Sequence, residues 1–245
     1  IKMAYQKIVV NTTLAVELIA SDKLPIPAPN LETLSGTTTS AKTGELIDAI
    51  TGTNSTDALT LTDAAKDFIA LGVKAGDTVT NTTTPGTTTV TSVATTELTL
   101  KEDIFASTGD GYTVGSFLRL GVNIGDIVYN TTDDTSALVR AIISSTALEL
   151  DKDIFTSAEN YKIFLGGPVG SSQINSSEGC LLYIGSSEAT MSAAKSFVDV
   201  RVKTAAGSDV IFRNFRVGDY LPIQVLRLYA TGTDTAALKS CIAIW

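Results

Sequence analysis

Histidine is absent from this 245-residue chain. That removes a Ser-His-Asp or Cys-His catalytic system and the commonest zinc ligand. Cysteine occurs twice, as Cys180 in GCLLYIG and Cys241 in SCIAIW. Both lie in apolar, strand-like surroundings, where buried free thiols are expected. Two cysteines so far apart give no disulfide framework. Tryptophan occurs once, as Trp245. Only 18% of residues are charged. Lys and Arg number 18 against 26 Asp and Glu, for a net charge of −8. The cations never cluster into a run, and phosphate-backbone binding needs several together, so nucleic acid is not an expected partner. The acidity favours solubility. No apolar stretch reaches the ~18 residues of a membrane span. The opening IKMAYQKIVVN lacks the long apolar core of a signal peptide. Met3 reads as the natural start, with Ile1 and Lys2 ahead of it.

What the chain does have is a stretch that occurs twice. Phe68 to Thr83 reads FIALGVKAGDTVTNTT and Phe117 to Thr132 reads FLRLGVNIGDIVYNTT, with ten of sixteen positions identical. The likeness continues from Thr87–Phe105 to Ser136–Phe155 after one inserted residue. Leu98, Leu100, Asp103, Ile104 and Phe105 fall on Leu148, Leu150, Asp153, Ile154 and Phe155. Tyr112 and Val114 fall on Tyr161 and Ile163. A period of about fifty residues signals tandem structural units.

One unit can be read physically. Gly76-Asp77 between apolar runs is turn chemistry, because Gly tolerates positive φ and Asp bonds its own backbone. Thr78–Thr80, Thr89–Val93 and Glu97–Lys101 alternate polar and apolar as half-buried strands do. Tyr112–Val114 adds another strand. Four or five short strands in about fifty residues fit a small barrel or half a sandwich.

Around the repeat, Lys7–Val10 and Thr13–Ala20 read as strands. Leu24-Pro25-Ile26-Pro27 is extended, because residues before proline are pushed out of the helical region. Pro27–Asn30 is a linker or semi-rigid arm. Leu34–Thr43 is polar and flexible in composition. Glu45–Ile50 is expected to open the first barrel. Ala58–Phe68 holds an alternating stretch, then the best helix candidate, capped by Asp63 with Ala64, Ala65 and Lys66 inside. ALTLTDAAKDF also echoes ELTLKEDIF, suggesting a third, degenerate copy.

Gly166–Ser172 is a boundary by breaker chemistry. It is no phosphate cradle, since no strand-loop-helix with Lys follows. Beyond it, Cys180–Ile184 reads as a buried strand and Ser187–Ala194 as a short helix or polar loop. Phe197, Val198, Val200 and Val202 face inward, against Asp199, Arg201 and Lys203. Ala205–Ser208 turns, Val210–Phe215 is a strand, and Val217–Asp219 turns again. Tyr220–Tyr229 is a long strand in which Pro222 suggests an edge or a bulge. Thr231–Asp234 is a turn, and Cys241–Trp245 is a final strand that completes the sheet of its own domain or sits in a partner subunit. This is antiparallel sandwich patterning.

The expected fold is all-β: tandem small β-barrel-like repeats plus a C-terminal antiparallel β-sandwich, jelly-roll-like. The expected divisions are N-terminal strands and arm over 1–30, packing with the C-terminal sandwich; a first repeat module over 31–115; a second over 116–165; and the sandwich over 166–245.

Candidate chemistry is sparse. Asp77, Asp126 and Asp151–Asp153 are the carboxylates a cation could use, but calcium wants six or more oxygens and the one-three-five spacing of a dedicated loop is missing. A glycoside hydrolase needs two carboxylates across a cleft, whereas the acids here sit at turns and outward strand positions. Sugar sites offer exposed aromatics, and Trp245 lies in an apolar strand. Sequons such as Asn11-Thr12-Thr13 and Asn130-Thr131-Thr132 are explained by the abundance of threonine. No catalytic, cofactor or metal residues are assigned.

The closing stretch, VGDYLPIQVLRLYATGTDTAALKSCIAIW (217–245), resembles the end of small structural proteins of tailed bacteriophages, including cyanophages and other marine phages. Their pattern G-x-x-L-P-v-x-v-x-r-v-x-A-T-G-T-T is matched at Gly218, Leu221, Pro222, Val225, Arg227 and Ala230 to Thr233, while Asp234 replaces the second Thr. The repeat, with LGVxxGD, VxNTT and LxLxxDIF, looks like modules of phage virion proteins. LIASDKLPIPAPNLETLSGTTTS is similar to their N-termini. The resemblance implies a non-enzymatic virion component, foremost a capsid decoration or cement protein on the head surface. It implies the major capsid protein or other virion proteins as partners, and a homo-oligomer, with a trimer the best expectation. A tail, neck or baseplate component, or a host- or carbohydrate-binding fibre module, is the alternative.

Overall fold

The computed structural model describes residues 15–28, 33–56, 59–156, 158–170, 179–185, 197–235, 237 and 240–245. Met3 as a start, the strand over Lys7–Val10, the sequon at Asn11 and the segment Ser187–Ala194 lie outside the described residues. Among those described the chain is all-β, with strands and turns but no helix, and its strands form three antiparallel sheets. By packing it divides into two units: Ile1–Thr33, Gly125–Leu138 and Lys162–Trp245 in one, Leu34–Ile124 and Val139–Tyr161 in the other.

The first repeat builds one sheet. Its strands are β5 (Ile50–Thr53), β6 (Thr60–Thr62), β7 (Thr78–Asn81), β8 (Gly86–Val93), β9 (Glu97–Leu100) and β10 (Gly111–Gly115), ordered β5-β10-β7-β8-β9-β6. Threonine and valine alternate along β7 to β9, so one face is apolar and the other polar. Leu61, Phe68, Val79, Val90, Leu98, Phe105, Tyr112 and Val114 close a core drawn entirely from this stretch of chain.

The second repeat has the same plan with a different thread. Here β2 (Thr33–Thr37), β4 (Glu45–Ile47), β11 (Ile127–Asn130), β12 (Thr135–Ile142), β13 (Ala147–Leu150) and β14 (Asn160–Phe164) run in the order β2-β14-β11-β12-β13-β4, with β3 (Ser40–Lys42) added at the end. Numbered within each module, both sheets read first, sixth, third, fourth, fifth, second. Each carries a bulge at the same place, between Val90 and Ser92 and between Val139 and Ala141. The two opening strands of the second module therefore precede the whole first module in sequence. The first module is an insertion between the second and third strands of its own twin.

Several sequence expectations change accordingly. Leu34–Thr43 is mostly strand: Leu34–Thr37 lie in β2 and Ser40–Lys42 form β3. Glu45–Ile50 does not open one barrel but splits at Asp48-Ala49, with β4 pairing to β13 and β5 to β10. Nor do Asp63–Lys66 form a helix. The Asp63 carboxylate accepts the Ala65 N–H at 2.9 Å and the Tyr112 hydroxyl at 2.8 Å, and a side chain tied to its neighbour's amide and to a distant strand favours a turn. ALTLTDAAKDF is no third copy, since β6 pairs with β9 and is the first module's counterpart of β4.

The remaining sheet runs β1 (Ala15–Glu17), β19 (Cys241–Ile244), β15 (Cys180–Ile184), β18 (Tyr220–Leu228), β16 (Phe197–Thr204), β17 (Asp209–Arg216). The CIAIW strand lies inside its own sheet, with β1 on one side and β15 on the other. Val198, Val200 and Val202 point into the core as expected, while Phe197 faces solvent at 55% exposure, because neighbours on a strand alternate. Pro222 is not on an edge strand, since β18 is flanked by β15 and β16. It falls where β18 carries extra residues between its pairs with Leu182 and Cys180, so the bulge alternative holds. The outer strand β17 has its own irregularity at Asn214, whose φ is +51°, and carries Arg213 and Arg216. A bulge and two cations on an edge oppose strand-to-strand aggregation.

Two of the glycines required by close approach lie against the buried tyrosine hydroxyls. A Cβ on Gly52 would lie 2.5 Å from the Tyr112 hydroxyl oxygen and closer still to Asp63. A Cβ on Gly36 would lie 2.5 Å from the Tyr161 hydroxyl oxygen and 2.7 Å from Asp48. Gly52→Ala and Gly36→Ala should each destabilise the chain by about 1–3 kcal/mol through overpacking. Gly44→Ala, where the added methyl meets open space, serves as a comparison limited to its φ of +71°. Urea denaturation monitored by circular dichroism measures all three.

Candidate functional site

The most organised polar chemistry in the molecule occurs twice, once in each module. In the first, Tyr112 on β10 donates to Asp63, just past β6, over Gly52 of β5. In the second, Tyr161 on β14 donates to Asp48, just past β4, at 2.6 Å, over Gly36 of β2. The aromatic rings pack on repeat-related phenylalanines: Phe68 with Tyr112, and Phe155 with Tyr161. Burial, reinforced by the facing carboxylates, pushes both phenols far above their ordinary range. These hydroxyls stay protonated and act as donors.

A second repeated element uses asparagine. Asn81 Oδ1 accepts the N–H groups of Thr83 and Thr84, and its amide donates to the Ile104 carbonyl and to Asp110. Asn130 Oδ1 likewise accepts the N–H groups of Thr132 and Asp133. The VxNTT motif is thus a side-chain-closed turn. Tyr129 adds a third phenol–carboxylate pair, to Asp134, which also takes the Ser21 hydroxyl. Burial and the Asp134 carboxylate raise the Tyr129 phenol to about 12, against a smaller lowering from Ser21.

The carboxylates proposed as cation ligands are not brought together. Asp77 binds the Lys74 N–H and Arg119, Asp126 accepts the Gly166 N–H, and Asp153 accepts the Gly44 N–H. Among the described residues no cluster of three or more metal-ligating side chains forms. Gly76-Asp77 and Gly125-Asp126 are turns that lead into β7 and β11; Gly76 and Gly125 have φ of +93° and +92°. The linker at Gly166–Gly170 is held by its backbone: Ala28 N–H donates to Gly167, Val169 N–H donates to Ile26, and Pro168 bridges to Pro27.

Both cysteines are buried, and neither is in a disulfide. Ile184 opposes Cys241 and Leu181 opposes Ile244. Cys180 and Cys241 are therefore offset by four residues along adjacent strands, roughly 13 Å, beyond the ~7 Å limit for a disulfide. Burial pushes the Cys241 thiol up to about 12. The Cys241 thiol is therefore not an activated nucleophile.

An apolar cavity of about 640 Å³ lies beside β1, lined by Val16, Leu18, Ile26 and Phe164, with Glu17 and Lys162 as its charged members. A smaller one of about 250 Å³ adjoins Ala28, Phe164 and Trp245, whose indole N–H has no partner among the described residues. Their walls are mostly apolar, with Glu17, Lys162 and the Trp245 indole N–H as polar groups. Solvent-facing apolar side chains include Leu59, Ile69 and Leu71 in the first module and Leu118, Ile124 and Ile143 in the second. Ile69 and Leu118 occupy the same place in the repeat. The periodicity of the sequence placed the buried tyrosines, but not their aspartates, because Asp48 and Asp63 lie outside the detectable repeat.

Burial raises Asp48 above the usual carboxylate range, and the Tyr161 hydroxyl pulls it only part of the way back. The folded state then holds this proton more tightly than the unfolded chain. Its stabilisation is full below the ordinary value of 3.8 and is lost as pH rises through the folded value. Asp48→Asn keeps an acceptor for Tyr161 and removes the titration. Melting temperature compared with wild type should shift in favour of the variant between about pH 3 and about pH 7. A constant difference across that range contradicts the assignment.

No protein-family model matches this chain, and no curated protein or solved structure matches it.

Proposed function

We propose that this chain is a structural component of a tailed-phage particle, with capsid decoration as its role and the head surface as its place. The observation that carries the reading is the duplicated, nested β module. Its repeated polar residues serve strand-to-strand bonds and turns, not a reactive cleft. What is left for the outside is a threonine-rich surface with few charges and scattered apolar side chains such as Ile69, Leu118 and Phe197. Such a surface suits wide protein–protein contact. The pattern at Gly218, Leu221, Pro222 and Ala230–Thr233 supports the same class. In the fold Gly218 lies in the turn before β18, Leu221 and Pro222 lie in β18, and Ala230–Thr233 form the turn after it, where Thr231 bonds Asp22 through both its N–H and its hydroxyl. The partners are then the major capsid protein, or other virion proteins, and further copies of this chain in a trimer.

The test is sedimentation of the purified chain with empty capsid shells of the source phage, together with its mass by light scattering. The expected result is a trimer that travels with the shells. A monomer that stays in the supernatant, and that mass spectrometry does not find in purified particles, overturns the reading. Rings or tubes of the isolated chain in electron micrographs would move it to the tail or neck.

A further inference from the structure

The Gly-Asp pair of the repeat does more than close a turn. Asp77 is 2% exposed and Asp126 is 1% exposed. One oxygen of Asp77 accepts the Lys74 N–H within its own turn at 2.8 Å. The other accepts Arg119 Nε at 2.5 Å, and the Arg119 stem lies 3.1 Å from where a Cβ on Gly76 would sit. Asp126 accepts the Gly166 N–H at 2.7 Å. The two donors differ chemically, but they occupy comparable places in the thread. Each comes from the chain just after the last strand of the module that holds the aspartate: Arg119 follows β10, which ends at Gly115, and Gly166 follows β14, which ends at Phe164.

We propose that the repeated Gly-Asp is an exit latch: it holds the outgoing chain of its own module against the turn that leads into that module's third strand. Glycine is needed beside it because the captured segment passes where a Cβ would stand at Gly76, and because φ there is +93°. The latch makes each module's exit as rigid as its sheet. A buried carboxylate paired with a guanidinium loses much when one partner is removed. The latch is therefore tested as a local event, separate from global stability.

The experiment is limited trypsin digestion of the full chain, with fragments identified by mass, alongside amide exchange. In the wild type, cleavage after Arg119 is slow. In Asp77→Ala it should accelerate about tenfold relative to the other tryptic sites, as local opening predicts. Asp77→Asn, which keeps the turn bond to Lys74, is the second variant should the alanine fail to fold, and should show the same selective change. In Asp126→Ala, exchange at the Gly166 amide should speed up about tenfold while β11 and β12 amides hold their rates. Uniform acceleration of all sites, or unchanged cleavage at Arg119 together with zero coupling in the Asp77→Asn/Arg119→Gln double-mutant cycle, overturns the proposal.

Discussion

The bond from a buried tyrosine hydroxyl to a carboxylate, made twice over a glycine, is the constraint on which the modules depend. It joins three strands that sequence keeps apart. In the second module the partners Asp48 and Tyr161 are 113 residues apart, because the entire first module lies between them. A small β module of this size buries only a modest fraction of its surface, so it relies on specific polar closure as well as on core packing. The carboxylate needs the hydroxyl to be buried at all, and the hydroxyl needs the absent Cβ of Gly36 or Gly52 to reach it.

The nesting is permitted by the geometry of the insertion point. Asp48 N–H donates to the Thr146 carbonyl, and Phe117 N–H donates to the adjacent Ser145 carbonyl. The chain thus leaves the second module and re-enters it beside the same hairpin. Gly115 packs against that hairpin, where a Cβ would collide with Ser145 and Thr146. An inserted domain whose ends meet in this way disturbs its host little.

Much of this was legible in the residues. The repeat of LGVxxGD, VxNTT and LxLxxDIF located β7 to β10 and β11 to β14, since long alternating strands carry their own signal. The strands that open each module are less legible. TLT shows its alternation, but TLSGT and ITGT are too polar, and ELI too short, to be distinguished from loops by periodicity. Their pairing is set by Gly36, Gly52, Asp48 and Asp63, whose roles appear only once the tyrosines are in place. Asp63 looked like a helix cap because a capping aspartate and a turn aspartate present the same local sequence; its long-range bond to Tyr112 decides between them. In the C-terminal sheet, β16 and β19 were clear, while Phe197 was misplaced because hydrophobicity outvoted alternation. For the site, the sequence could exclude histidine chemistry outright, but it could not show that Asp77, Asp126 and Asp153 each hold a separate structural bond.

The nested duplication is the central claim, and it makes the first module a self-contained unit with its whole core between Ile50 and Val114. Residues 49–115, produced as an isolated polypeptide, should show a strand-type circular dichroism spectrum and a single cooperative urea transition. Residues 116–164 alone, lacking β2 and β4, should show neither. If the 49–115 fragment is unfolded, or if 116–164 folds without 33–48, the nested account is wrong.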